Sequence, residues 1–122
     1  MKKAILTILV CLLTLGGWAQ FPKIYAHRGC WSMTPSNEFI IPENSIPAVA
    51  MAKRMGYEGI ECDVHYTKDK VMVILHDATL NRTLRNAKDY SPIEKNIRLA
   101  DLTFEELRNN YVLASTNPEY RT

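Results

Sequence analysis

Residues 59–77 read Gly-Ile-Glu-Cys-Asp-Val-His-Tyr-Thr-Lys-Asp-Lys-Val-Met-Val-Ile-Leu-His-Asp and contain two candidate β-strands separated by a turn. In residues 59–66, apolar and polar side chains alternate with the period of two that is typical of a strand. Residues 71–75 form a continuous apolar run, and Lys68-Asp69 between the segments has the composition of a turn. We therefore expect a hairpin in which paired residue numbers sum to about 137 to 139.

Two acidic side chains, Glu61 and Asp63, lie on the polar face of the first strand. They point the same way and stand about 7 Å apart along the strand. The flanking residues are apolar, so we expect core-like surroundings, where two like charges repel unless a cation or polar partners compensate. Oxygen-only ligands favour hard cations such as Mg²⁺ or Ca²⁺. The spacing indicates a candidate metal site; the alternative is a strand face on which both acids meet water.

His76 ends the second strand. In the predicted register it lies beside both Glu61 and Asp63, because cross-strand neighbours have Cβ atoms about 5 Å apart. A histidine next to carboxylates is a candidate general acid, general base or ligand, and the alternative is a histidine that only completes the core or caps the strand. His65 shares the face of the acids, and we interpret it as an ordinary strand residue.

A further short strand is predicted at residues 23–26, and it runs directly into His27, Arg28 and Gly29. Arg28 offers the planar paired donors that bind phosphate or carboxylate groups, and Gly29 permits an unusual backbone angle where the chain leaves the strand. These residues make His27 a second candidate site histidine. The alternative is an ordinary strand exit. The dozen residues that follow are predicted to be loop.

Two helices are predicted. Ser45 caps the first helix and Gly56 ends it. The buried stripe of this helix is predicted to comprise Ala48, Met51, Ala52 and Met55. Thr103 and Glu106 form a capping box that opens the second helix, near residues 102–109, and the remainder of the chain is predicted to be loop.

Residues 1–19 have the pattern of a secretory signal. Lys2 and Lys3 precede an apolar run, and Gly17 and Ala19 supply small residues before a cleavage point. We therefore expect an exported protein, periplasmic or extracellular. The alternative is an uncleaved anchor.

Removal of this signal takes two of the 15 Lys and Arg residues and none of the 13 Asp and Glu residues, so the rest of the chain is electrically neutral. About 100 residues make one domain, too short for an eight-unit α/β barrel of roughly 200 residues. The balanced charge gives no support for nucleic-acid binding, and no second apolar run is long enough to span a membrane. Cys30 and Cys62 could pair in an exported protein, but two cysteines do not make a disulfide framework.

Five short blocks between residues 24 and 83 have an order and spacing that match a known family. The blocks are Tyr-Ala-His27-Arg28-Gly29, Pro42-Glu43-Asn44-Ser45, Gly59-Ile-Glu61-Cys-Asp63-Val64, Thr67-Lys-Asp69, and His76-Asp77 with Arg82-Thr83. Together they resemble the glycerophosphodiester phosphodiesterase family. The resemblance covers essentially all of residues 20–122, which we expect to be a partial domain of this family, its first half.

The resemblance implies an α/β fold, the N-terminal portion of a TIM-type (β/α)8 barrel of the phospholipase C-like phosphodiesterase kind, incomplete in this chain. It implies metal-dependent hydrolysis of a small glycerophosphodiester to sn-glycerol 3-phosphate and an alcohol, through a cyclic phosphate that water later opens. The implied roles are Glu61 and Asp63 as ligands of Mg²⁺ or Ca²⁺, Arg28 on the phosphoryl oxygens, His27 as general base, His76 as the acid that protonates the leaving alcohol, and Glu43 in support.

The sequence departs from the family in its third acidic metal ligand, which the family draws from a later strand in an apolar-Glu-apolar-Lys setting. Glu119 stands between Pro118 and Tyr120 in an expected loop and does not match. About four or five barrel strands are also missing, so we expect either a fragment of a longer product or a truncated form. Two alternatives stay open: a catalytically incomplete metal- or phosphodiester-binding domain, and a related phospholipase acting on lysolipids, although the Pro-Glu-Asn-Ser block favours the glycerophosphodiesterase.

Overall fold

The computed structural model describes residues 22–121, so the predicted signal at residues 1–19 lies outside the described residues. The strands are β1 (Tyr25–His27), β2 (Ser32–Met33), β3 (Phe39–Ile41), β4 (Gly59–Glu61), β5 (Val64–Tyr66), β6 (Met72–Ile74), β7 (Leu84–Asn86) and β8 (Tyr111–Leu113). The helices are α1 (Ile46–Arg54) and α2 (Phe104–Asn110), with short 3-10 turns at Leu99–Asp101 and Pro118–Tyr120. Within the described residues the strands form four two-stranded sheets and no closed barrel.

Strands β1 and β4 pair in parallel and are connected through α1, which makes a β–α–β unit. Tyr25 is opposite Gly59 and His27 is opposite Glu61. Helix α1 packs on β4, and its Ala48 and Ala52 are buried. These small side chains let the helix lie close to the end of β1.

The predicted first helix is confirmed. The Ser45 hydroxyl accepts a hydrogen bond from the Ala48 N–H, and Gly56 follows the helix at φ +78°, as a left-handed helix end requires. The predicted stripe is wrong at Met55, whose side chain is 64% exposed. Met55 is already the C-cap residue, so it has left the helical face that Ala48 and Ala52 bury.

Gly29 has a left-handed backbone and lies close to α1. Its φ is +78°, and its N–H donates to the Ala26 carbonyl over 3.1 Å. A Cβ at this position would lie 2.8 Å from the Cβ of Ala48 and 3.0 Å from the Ala48 carbonyl carbon. The backbone after β1 therefore packs directly against α1. The unusual backbone angle predicted at Gly29 is confirmed.

Gly29→Ala is expected to lower the free energy of unfolding by about 2–4 kcal/mol, since it combines left-handed strain with overpacking. Gly56→Ala is the matched control: its φ is also +78°, but no heavy atom lies within 4 Å of the added Cβ. The control should lose only about 1–2 kcal/mol. Urea unfolding of the full-length protein measures both values, and equal losses would contradict a steric role for Gly29.

The single strand predicted at residues 59–66 is wrong, because it divides into β4 and β5 at Cys62-Asp63. Strand β4 pairs in parallel with β1, whereas β5 pairs antiparallel with β6, so one straight strand cannot serve both partners. The predicted hairpin register is confirmed. Val64 is opposite Ile74 and Tyr66 is opposite Met72, within the predicted range of sums.

The segment predicted as loop after Cys30 contains the antiparallel pair β2–β3. Strand β3 alternates, with Phe39 and Ile41 buried and Ile40 exposed. Strands β7 and β8 also pair antiparallel and were not predicted. All four strands have only two or three residues, too few for a period of two to stand out in the sequence.

The segment between β6 and β8 forms a hydrophobic core. It consists of Leu75, Leu80, Leu84, Ile93 and Leu99, with Leu107 and Tyr111 packed against it. The predicted capping box of α2 is confirmed, since Thr103 and Glu106 exchange hydrogen bonds. No helix among residues 22–121 has both the length and the apolar composition needed to cross a bilayer.

Candidate active site

The carboxyl ends of β1 and β4 bring His27 and Glu61 together. The two residues are register partners in the parallel pair, and His27 Nε2 lies 3.8 Å from Glu61 Oε2. The backbone N–H of Arg28 donates to the same oxygen over 3.1 Å. The core-like surroundings predicted for Glu61 are wrong: its side chain is 47% exposed and that of His27 67% exposed, because no element among the described residues covers this edge.

Asp63 follows β4 in the short connection to β5, and two residues hold its side chain. Its Oδ2 accepts a hydrogen bond from Asn44 Nδ2 over 3.0 Å and lies 3.4 Å from Arg28 Nε. Asn44 Oδ1 also accepts the Asp63 N–H over 3.4 Å. Asn44 itself has φ +53°, and its N–H donates to the Arg28 carbonyl. Asn44 therefore ties the β1 exit to the β4 exit.

The guanidinium of Arg28 is mostly buried and lies between two carboxylates. Its Nη1 donates to both oxygens of Glu43 over 3.3 and 3.4 Å, and its Nε faces Asp63. The Nε atom is buried and makes no hydrogen bond within the described part of the chain. Nη2 likewise has no hydrogen bond to residues 22–121. Arg28 thus keeps Nη2 as the donor group that neither Glu43 nor Asp63 uses.

Glu43 is a buried carboxylate whose side chain is 2% exposed, and two arginines bind it. Arg82 donates from Nη2 to Oε1 over 2.5 Å and from Nη1 to Oε2 over 3.1 Å, opposite the contacts from Arg28. A buried carboxylate is costly unless it is paired and hydrogen-bonded, and here both oxygens are.

His76 is held by Asp77 rather than by the acids of β4. Its Nδ1 lies 2.6 Å from Asp77 Oδ1, and Arg82 Nε donates to Asp77 Oδ2 over 2.7 Å. The hydrogen bond from Arg82 is the main reason that the pKa of Asp77 falls to about 2, with a smaller contribution from His76 and an opposing one from burial. Asp77 is therefore ionised near neutral pH and accepts a hydrogen bond from the Nδ1–H of His76.

His65 hydrogen-bonds the backbone carbonyl of His76 through Nε2 over 3.0 Å. A carbonyl only accepts, so this Nε2 carries the hydrogen. His65 sits in the ladder between β5 and β6, in agreement with our interpretation of an ordinary strand residue.

The structure assembles most of the predicted site residues. His27 contacts Glu61, Arg28 contacts both Glu61 and Asp63, and Glu43 joins them through Arg28. The predicted register continues to Asp63, whose carbonyl accepts the Leu75 N–H over 3.0 Å, but within residues 22–121 the His76 ring pairs with Asp77 and forms no ion pair with Glu61 or Asp63. The reason is the break between β4 and β5, which removes Glu61 from the hairpin.

Sequence reasoning missed the functions of three residues that the structure places in this network: Asn44, Asp77 and Arg82. Asn44 directly follows Glu43, and Asp77 directly follows His76. A polar residue next to a predicted site residue could have been selected as a further candidate. Arg82 is separated by 39 positions from Glu43, and no local pattern connects them.

These residues offer the type of ligand atom that a divalent cation binds, but too few ligand residues. Glu61 and Asp63 supply carboxylate oxygens, and neither Glu61 Oε1 nor Asp63 Oδ1 is hydrogen-bonded to a described residue. However, residues 22–121 contain no group of three or more His, Cys, Asp or Glu side chains placed to hold a metal ion. Glu119 lies in an exposed 3-10 turn rather than in the expected loop.

The possible pairing of Cys30 and Cys62 is not realised. Both cysteines are free thiols, with Cys30 half-buried and Cys62 exposed at the break between β4 and β5.

Comparison with known proteins shows the family of this chain. The sequence profile described as "Glycerophosphoryl diester phosphodiesterase family" matches residues 27–121. The curated protein "Glycerophosphodiester phosphodiesterase 1" of Rattus norvegicus is 35% identical over 101 residues, which are 79% of this chain and 26% of the relative. A "Glycerophosphodiester phosphodiesterase" of Caldanaerobacter subterraneus is 35% identical over 85 residues, or 70% of this chain and 28% of the relative.

Solved structures show the same fold. A glycerophosphoryl diester phosphodiesterase from Parabacteroides distasonis superposes with a TM-score of 0.59 at 30% identity, over 86% of this chain and 30% of that chain. A glycerophosphodiester phosphodiesterase from Agrobacterium tumefaciens gives a TM-score of 0.60 at 24% identity, over 83% and 37%. The chain thus spans about a quarter to a third of the length of the relatives it matches.

These matches confirm the predicted fold class. The described residues form an α/β structure, the N-terminal portion of a TIM-type barrel, with the barrel incomplete among them. The chain therefore belongs to the glycerophosphoryl diester phosphodiesterase family.

Proposed function

We propose that the full-length protein hydrolyses glycerophosphodiesters to sn-glycerol 3-phosphate and an alcohol, with histidine acid–base catalysis and a divalent cation. The observation that carries the proposal is the cluster of His27, Arg28, Glu61 and Asp63 at the carboxyl edge of β1 and β4. It joins an imidazole, a cationic donor and two carboxylates, which are the groups that phosphoryl transfer requires. Family membership supports the same reaction.

In this mechanism His27 is the base. It accepts the proton of the substrate glycerol hydroxyl as that oxygen attacks phosphorus, which forms a cyclic glycerol phosphate and breaks the bond to the alcohol. Water then opens the ring, and the histidines exchange roles.

His76 is the acid that gives the leaving alcohol its proton. Asp77 accepts a hydrogen bond from Nδ1, so Nε2 is the ring atom left to face the substrate. This pairing of a carboxylate with an imidazole fixes both ring orientation and tautomer. Arg28 steadies the phosphoryl oxygens with the donors that Glu43 and Asp63 do not use.

Glu61 and Asp63 would hold Mg²⁺ or Ca²⁺ through their remaining oxygens. A bound cation supplies charge stabilisation at the phosphoryl group, which lowers the cost of the developing negative charge. The predicted signal at residues 1–19 supports action outside the cytoplasm, in the periplasm or the extracellular space.

A second candidate is a catalytically incomplete domain that binds a metal ion or a phosphodiester. The observation that favours it is the presence of only two carboxylates at the edge of β1 and β4 within residues 22–121, without a third metal-binding group. A third candidate is a related phospholipase that acts on lysolipids. Its preferred substrate would distinguish it from a glycerophosphodiesterase.

Replacing the two acids is expected to test the cation directly. In the full-length protein, Glu61→Gln combined with Asp63→Asn should abolish the calorimetric heat of Mg²⁺ or Ca²⁺ binding and lower turnover of glycerophosphocholine at least about 100-fold. EDTA should do the same to the wild type. Glu58→Gln is the control, because Glu58 is exposed and precedes the opposite end of β4.

The outcomes separate the candidates. Wild-type turnover that survives EDTA would contradict the cation. Metal binding without turnover of any phosphodiester would favour the incomplete binding domain, and faster turnover of a lysolipid than of glycerophosphocholine would favour the phospholipase.

A further inference from the structure

Arg82 binds two carboxylates that come from different parts of the chain. It lies between β6 and β7, and its guanidinium uses all three nitrogens. Nη1 and Nη2 donate to Glu43, while Nε and Nη2 donate to Asp77 over 2.7 and 3.1 Å. Both contacts are paired hydrogen bonds, the geometry that a planar guanidinium provides and an ammonium cannot.

Each of these carboxylates holds a group of the proposed reaction. Glu43 binds the guanidinium of Arg28 on its other side, and Asp77 binds the ring of His76. The result is a continuous chain of alternating groups. In order it comprises Arg28, Glu43, Arg82, Asp77 and His76. Arg82 is the link between the phosphate-binding end and the acid end.

The position of Arg82 is itself constrained. Its Cζ lies 5.8 Å from the centroid of the Phe39 ring, which is buried in β3 and packs edge-on against Trp31. The two carboxylates also raise the pKa of Arg82, with Glu43 the larger cause, so its charge is permanent. Because Arg82 is held by Glu43, Asp77 and Phe39, a side chain of another length at this position should displace both carboxylates.

We infer that Arg82 is a positioning residue, which fixes the place of Arg28 and of His76 relative to each other through Glu43 and Asp77. The inference rests on the proposed function for its kinetic consequence. Its structural consequence, the coupling of the Arg28 and His76 side chains, stands independently of turnover.

Arg82→Lys in the full-length protein is the decisive variant. Lysine keeps the charge but cannot bind both carboxylates with paired hydrogen bonds. We expect kcat on glycerophosphocholine to fall about 10- to 100-fold with KM changed less than about threefold, because misplaced groups affect the transition state most. Arg85→Lys is the control, because within the described part of the chain Arg85 donates only to backbone carbonyls; its kcat should stay within about twofold of wild type.

Three NMR measurements test the coupling without turnover. In Arg82→Lys, the Arg28 Nε–H and the His76 ring resonances should both shift, and the pKa of Asp77 should rise from about 2 toward its ordinary value, because its main hydrogen bond is lost. Arg85→Lys should leave all three unchanged. If the lysine variant does not fold, Asp77→Asn replaces it; because it weakens the hold on Arg82, it should lower kcat similarly and shift the Arg28 Nε–H as well as the His76 resonances.

A folded Arg82→Lys with wild-type kcat and unshifted resonances would overturn the inference, and so would an equal loss in Arg85→Lys. A wild-type protein that is inactive, but whose Arg28 and His76 resonances shift in Arg82→Lys, would instead refute the proposed function and keep Arg82 as the coupling residue.

Discussion

Alanine at His27 or at His76 is expected to lower kcat of the full-length protein on a glycerophosphodiester by about 10²- to 10⁴-fold, the usual contribution of a positioned acid or base. The two residues approach from different elements. His27 ends β1 beside Glu61, and His76 follows β6 with Asp77 on its Nδ1. Each would handle a different proton, so neither histidine can replace the other.

The double variant should lose little more than the worse single variant. Residues that act in one reaction as a unit are strongly non-additive, because removal of one already disables the proton transfers that the other completes. KM should change less than kcat, since neither imidazole carries the charge pairing that Arg28 supplies.

Initial rates with glycerophosphocholine across pH measure these losses, with His65→Gln as the control. Among residues 22–121, His65 hydrogen-bonds only the His76 carbonyl, and a glutamine amide can donate there as well. The control should therefore keep most of the activity. A double variant that retains activity within about tenfold of wild type would contradict both assigned roles.

Local features of this fold could be read from the sequence because they depend on neighbours a few positions apart. The cap at Ser45 and the box of Thr103 with Glu106 involve residues three positions apart, and both are present. The register of the β5–β6 hairpin follows from the turn around Lys68-Asp69 alone. Turn and capping chemistry are properties of short segments, so the sequence contains them completely.

The break between β4 and β5 could not be read in the same way. It arises because β4 pairs with β1, which lies more than 30 positions earlier, and because the side chain of Asn44 binds Asp63 from 19 positions away. The alternation of polar and apolar residues continues across the break, so periodicity predicts one strand where long-range pairing makes two.

The same distinction explains the candidate site. Four of its residues could be selected from local pattern: Glu61 and Asp63 share the polar face of an alternating segment, and His27 and Arg28 directly follow a predicted strand. The burial of Glu43 could not. Its segment has the composition of a loop, and only the arrival of Arg28 and Arg82 makes a buried carboxylate possible there.

Glu43→Gln is expected to lower the free energy of unfolding by about 3 kcal/mol, near the lower end of what breaking a buried ion pair costs. The substitution keeps the shape but removes the charge that faces Arg28 and Arg82. The glutamine oxygen can accept a hydrogen bond from one arginine. Its NH₂ group faces the N–H groups of the other arginine and cannot accept from them. The 40% exposure of Arg82 lets water offset part of the loss.

Urea unfolding of the full-length protein measures this loss, which should appear as a midpoint lower by about 1 to 3 M with an unchanged slope. Glu38→Gln is the control, because Glu38 is exposed and its side chain accepts only from Ser36. It should stay within about 0.5 kcal/mol of wild type. Equal midpoints for the two variants would show that Glu43 contributes no more than a surface carboxylate.

A double-mutant cycle distinguishes a specific pair from general disruption. If the cost of Glu43→Gln comes from leaving Arg82 without its charge partner, Arg82→Gln should add clearly less in the Glu43→Gln background than in the wild type. Arg28 would still lack its carboxylate in the double variant, so the coupling should recover only part of the loss. Strict additivity would mean that Glu43 and Arg82 stabilise the fold separately, and the 2.5 Å contact between them would then carry no energy of its own.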